Sequence, residues 1–170
     1  MKSHKDIVYA VVNAAPGHKL ASRVRLQKTV YLLKALGFDN SLQFQYYHFG
    51  PYSRELDIAL TEADESKLVL ESQAKRQSDG ATYSLFEAQS SNKNVSFGKL
   101  TPQRAQELIA KFTTTNVTVL ELAATAHWLK NAEKIADWRA EIVRRKGVKT
   151  ENGRLERAIE LLKELELAPS

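Results

Sequence analysis

The chain has no cysteine. That excludes disulfides, thiolate chemistry and the usual structural zinc sites together. Long apolar runs are missing too: nothing approaches the roughly 20 residues of a membrane span, and none opens the chain as a secretion signal would. A cytoplasmic, soluble protein with no membrane partner is therefore expected. Nor is there an excess of one charge, since the formal net charge is +5, with residues 1–100 at +3 and 101–170 at +2. Neither half is a basic tail, whereas a strong phosphate binder concentrates its charge in a visible patch. What remains is the composition of a globular protein, 43% hydrophobic and 26% charged over 170 residues, long enough for one domain with a sizeable core.

Signatures of catalysis are also wanting. His4, His18, His48 and His127 are scattered, with no pair at i, i+4, so a metal site is not expected. Gly17-His18-Lys19 lacks the glycines and the Ser/Thr that let a phosphate loop aim its amides at phosphate. Ser53 has no GxSxG frame and reads as a helix cap instead. The expectation is a non-enzyme with no catalytic residue, cofactor, metal or small-molecule substrate.

The chain is organised around Val24 to Ser53. On a helical wheel Leu26, Val30 and Leu33 form one apolar flank and Val24 and Tyr31 another, separated by two narrow polar stripes. One stripe carries Arg23, Gln27 and Lys34; the other starts with Arg25 and Lys28 and continues as Leu32 and Leu36. Two apolar flanks predict a central helix packed on both sides, ended at Gly37. From Leu42 to Phe49 the period becomes two, which predicts a strand, and Gly50-Pro51 breaks it before a third helix from about Arg54 to Ser66.

Ser3 caps a first helix that stops at Pro16-Gly17. LVLESQAK and ATYSLFEA, separated by a turn at Ser78-Asp79-Gly80, predict a β-hairpin with which the strand at Gln43 to His48 can pair. Three helices followed by a hairpin have the order of a winged helix. Residues 89–99, rich in Ser and Asn, read as a mobile connection. Beyond it lie helices starting at Thr101-Pro102, at Thr114 or Asn116, at Asn131, and at Arg154. The predicted architecture is α+β and mainly helical: one domain over 1–170, with a winged-helix-like part at 1–88 and C-terminal helices at 100–170.

The runs RLQKTVYLLKALG, YYHFGPYSREL and LELAATAHWL resemble the Panacea domain, also called SocA-like, and its YwgA-like relatives. The resemblance spans roughly residues 7–165 by the order and spacing of its blocks. It implies an antitoxin that neutralises a toxin protein by direct contact; a SocA-like member acts instead as a proteolytic adaptor.

Two residue sets stand out beside that resemblance. Tyr46, Tyr47, His48, Phe49, Tyr52 and Arg54 gather side chains of the kind that anchor protein interfaces. Tyr46 and Phe49 read as core, and Tyr47, His48, Tyr52 and Arg54 as partner-binding. Glu121, within LELAATA, needs a partner or a proton if buried, so it reads as an acid in a binding groove or as one half of an ion pair with Arg25. The alternative to a protein-contact module is a DNA-binding regulator, with Arg54 near the major groove and Lys75 and Arg76 on phosphates. Against it, the third helix carries Glu55, Asp57, Glu62, Asp64 and Glu65. The amphipathic last helix offers a surface for a second copy.

Overall fold

The computed structural model describes residues 3–169. Its elements run α1 (His4–Ala14), β1 (Lys19–Ala21), α2 (Arg23–Leu36), β2 (Gln45–Tyr47), β3 (Gly50–Tyr52), α3 (Arg54–Glu65), β4 (Val69–Lys75) and β5 (Thr82–Ala88). Then come α4 (Pro102–Thr114), α5 (Val117–Asn131), α6 (Trp138–Lys146) and α7 (Arg154–Glu164). The class is the expected one, mainly helical α+β with little sheet. Local signals set most helix starts: Ser3, Ser22, Ser53, Thr101 and Asn116 each accept a backbone N–H of the first turn that follows.

β1, β5 and β4 form an antiparallel sheet in that order, with Leu20 opposite Phe86 and Glu71 opposite Phe86 on the other side. With α1, α2 and α3 this is the element order of a winged helix. The third strand is not the one expected. β1 takes the place beside the hairpin, and the alternating stretch from Leu42 shrinks to β2, which pairs only with β3 through a turn at His48 and Phe49. Lys19–Ala21 is too short to show alternation; what makes it a strand is Leu20, buried beside Phe86.

α2 is the central helix. Every residue from Leu26 to Leu33 is buried, including Gln27, Lys28 and Thr29, so the predicted polar stripes are closed over at mid-helix. Neighbours on several sides account for this: α4, α5, β1 and β3 all pack on α2. α5 is likewise buried without a break from Val119 to Ala126, and the small Ala123, Ala124 and Ala126 lie within that stretch. One hydrophobic cluster runs from α1 through α2 and α5 to α7.

Three expectations in the C-terminal half change. The helix expected to start at Asn131 starts at Asp137, because Asn131 closes α5 and its amide donates back to His127 O at 3.0 Å. The apolar face of α7 packs on α5, so it is covered within the chain. The Ser/Asn-rich connection is pinned at its end: Phe97 is buried edge-on against Phe38 at 5.0 Å, and Lys99 N donates to Gly37 O at 2.9 Å.

Candidate functional site

The β2–β3 ribbon lies across α2 and α5, and Gly50 makes that possible. Its φ is +93°, and a Cβ there would stand 2.5 Å from Thr125 Oγ1, so no other residue lets the ribbon approach α5 this closely. Two buried side chains then hold the ribbon from beneath. Lys28 Nζ donates to Pro51 O at 2.6 Å, and the Gln27 amide clamps Ser53, donating to its carbonyl at 2.8 Å and accepting its N–H at 2.9 Å. From the α6 end, Lys146 Nζ reaches His48 O at 3.4 Å. Thus the closed polar stripe of the central helix fixes the position of the Gly-Pro-Tyr-Ser corner.

Above these anchors the aromatic side chains divide. Tyr46 is half-buried under the Arg145 guanidinium, 4.7 Å from its ring centre. Tyr47 stacks on Tyr52 at 5.3 Å and touches His48 at 4.4 Å, yet keeps 55% of its surface exposed. Phe49, expected in the core, is 49% exposed: it sits in the turn at the ribbon's tip, with Lys149 Nζ 4.8 Å from its ring centre. Beside them is a cleft of about 240 Å³, lined by Tyr47, Phe49 and Tyr52 and floored by Arg23, Val24, Gln27, Lys28 and Asp57.

Two charged clusters flank the cleft. On the α3 side Arg23 donates to Asp57 at 3.0 Å and to both oxygens of Glu71 at 2.6 and 2.8 Å. Tyr52 Oη donates to Asp57 and Ser84 Oγ to Glu71, so both carboxylates have a second partner. The Arg23 hydrogen bond holds the Glu71 carboxyl below its usual range. On the α5 side Glu121 is 3% exposed and pairs with Lys146 at 2.9 Å and Lys149 at 3.1 Å. Lys28, 1% exposed, is pushed down to about 7 chiefly by burial; Glu121 opposes the shift, and Lys146 and Lys149 add to it.

The expected Arg25–Glu121 pair does not form. Arg25 donates instead to Phe112 O at 2.6 Å and Thr115 O at 2.5 Å, satisfying carbonyls at the C-terminal end of α4. Glu121 is paired with lysines of α6 and of the turn after it, which no local pattern connects to α5. Among the predicted contact residues, the structure brings Tyr47, His48 and Tyr52 together. Arg54 makes no ring contact with them and is exposed at the start of α3, beside a hollow lined by Gln43, Phe44, Gln45 and Glu55. Sequence reasoning missed Lys28, Lys149 and Arg23 as parts of this site. For Lys28 the signal was there: a lysine mid-way along a helix apolar on both flanks is a candidate for burial.

Among the described residues no group of three or more His, Asp or Glu side chains could hold a metal, and no helix is long and apolar enough to cross a membrane. The fold is mainly helical α+β, with an aromatic ribbon beside a small cleft. No family model, curated protein or solved structure matches the chain.

Proposed function

We propose that this chain is a protein-binding module, acting by direct contact and without chemistry of its own, and that its partner is a toxin that it neutralises. The observation that carries the reading is the ribbon tip: Tyr47 and Phe49 stand about half exposed beside a cleft, on a ribbon anchored from below by Lys28, Gln27 and Lys146. Large rings on a rigid support bury much area at little conformational cost, which is what an interface anchor needs. The resemblance to Panacea domains, carried by the same Gly-Pro-Tyr-Ser corner, supports the toxin as partner.

The winged-helix order of elements could suggest DNA instead. The helix that would enter the groove, α3, has Arg54 against Glu55, Asp57, Glu62, Asp64 and Glu65, a sign that phosphates repel. Arg76, in the turn between β4 and β5, is paired with Asp79.

The test is capture from the source cell with and without nuclease, at low and high salt, comparing the native chain with Tyr47→Ala/Phe49→Ala. One protein should be retained stoichiometrically at high salt, and the double variant should lose about 2 kcal/mol or more of affinity, roughly thirtyfold. The captured protein should arrest growth when expressed alone and cease to do so with this chain. Nucleic acid retained only at low salt, with no protein, overturns the reading.

A further inference from the structure

Around the α5 side of the cleft, cations outnumber carboxylates. Lys146 and Lys149 both pair with the single carboxylate of Glu121, and Lys28, bonded to Pro51 O under the ribbon, is near enough to feel the charge of all three. An ammonium carries three N–H donors, and Pro51 O takes one of those of Lys28. Lys149 is the outermost of the three, over a third exposed, with its Nζ 4.8 Å from the centre of the Phe49 ring. Lys28 and Phe49 both line the cleft and Lys149 stands against Phe49, so positive charge and aromatic walls adjoin at one edge of it. On the opposite side Arg23 is already hydrogen-bonded to two carboxylates, which leaves it no comparable role.

A buried cation in excess of its carboxylates is costly until another anion joins it, and the charge-assisted hydrogen bond then formed is stronger than a neutral one. We propose that the cleft takes a carboxylate carried beside an aromatic or large apolar side chain of the partner protein. The carboxylate seats against Lys28 and Lys149, and the apolar group lies among Tyr47, Phe49 and Tyr52. This rests on the protein-contact reading and specifies the chemistry of the segment that makes the contact. The volume of about 240 Å³ holds one such side chain, not a folded surface.

The carboxylate can come from a chain terminus or from a side chain, and three probes separate these. N-acetyl-phenylalanine offers a terminal carboxylate, N-acetyl-glutamyl-phenylalanine amide a side-chain one, and N-acetyl-phenylalanine amide none. Each is titrated into the full-length protein at pH 6 while amide shifts of the ribbon and α2 are followed by NMR. At least one acid should bind about tenfold more tightly than the neutral amide, and which acid does so identifies the source. Lys28→Met and Lys149→Gln should each reduce that preference several-fold, while Tyr47→Ala should weaken all three probes. Lys149 lies at the surface, so Lys149→Gln remains folded even where Lys28→Met, which removes the bond to Pro51 O, loosens the ribbon. Equal binding of acids and amide, no binding, or a preference unchanged in both lysine variants overturns the proposal. The partner capture described above is read separately: a partner lost with the ribbon rings but kept by both lysine variants removes the carboxylate and leaves the contact reading standing.

Discussion

The two charged clusters beside the cleft use similar side chains to different ends. The Arg23 cluster has one guanidinium, two carboxylates and two hydroxyl donors, all hydrogen-bonded to one another and partly reached by water. Its members are matched. The Glu121 cluster has one carboxylate and three lysines, and its inner members, Glu121, Lys28 and Lys146, are all buried. The first links α2 to α3 and β4; the second joins α5, α6 and the central helix beneath the ribbon, with charge left over. The difference teaches that a cluster's surplus, and not its size, marks the side from which a ligand is to be sought.

The sharpest way to break the comparison is to remove the lone carboxylate. Glu121→Gln leaves Lys146 buried without a counter-charge, and about 3–5 kcal/mol of stability should be lost in urea unfolding. A loss under about 1 kcal/mol would mean that water reaches the cluster and that no charge surplus exists there.

Next comes pH. Lys28, faced by Glu121, Lys146 and Lys149, has its folded value lowered to about 7 from 10.5, so between these values the unfolded chain binds the extra proton. Stability due to Lys28 should therefore rise with pH across that window, by at most about 1.4 kcal/mol per pH unit. The rise should vanish in Lys28→Met, compared with the native chain between pH 7 and pH 9. Equal pH slopes for the two proteins count against a Lys28 whose charged form burial disfavours.

The matched cluster should respond less. Arg23→Gln leaves Asp57 with Tyr52 and Glu71 with Ser84, both within reach of water, and should cost about 1 kcal/mol. Because Arg23 lowers the Glu71 value below 4.5, this contribution is present above about 4.5 and lost as pH falls through the lowered range. Smallest of all, Tyr47→Ala/Phe49→Ala should change stability by no more than about 0.5 kcal/mol. A larger loss would make the ribbon tip a part of the scaffold and weaken its assignment to binding.

Much of the fold was legible in the chain because its signals are local. Ser3, Ser53 and Asn116 cap the helices that they precede, and Leu155, Ala158, Ile159, Leu162 and Leu165 form the buried face of α7. Failures came where partners lie far apart in sequence. β1 is a strand only because β5 runs beside it, and the Leu42 to Phe49 alternation paired with its own continuation instead of the distant hairpin. Tyr47, His48 and Tyr52 could be grouped from their side-chain types, and the structure does bring them together. The exposure of Phe49 could not be read in that way, since it follows from the turn at His48 and Phe49.

By itself, then, the sequence determined where most of the helices lie, that α2 must be packed on two sides, and that a Gly-Pro-Tyr-Ser corner follows the central helix. These depend on periodicity and capping over a few residues. Only the tertiary structure decided that Lys28 is buried under that corner, that Glu121 answers to Lys146 and Lys149 and not to Arg25, and that the cleft keeps surplus charge. Charge pairing in an interior depends on which elements pack together, and residues 28 apart along the chain, such as Glu121 on α5 and Lys149 in the turn after α6, meet only once the core has formed.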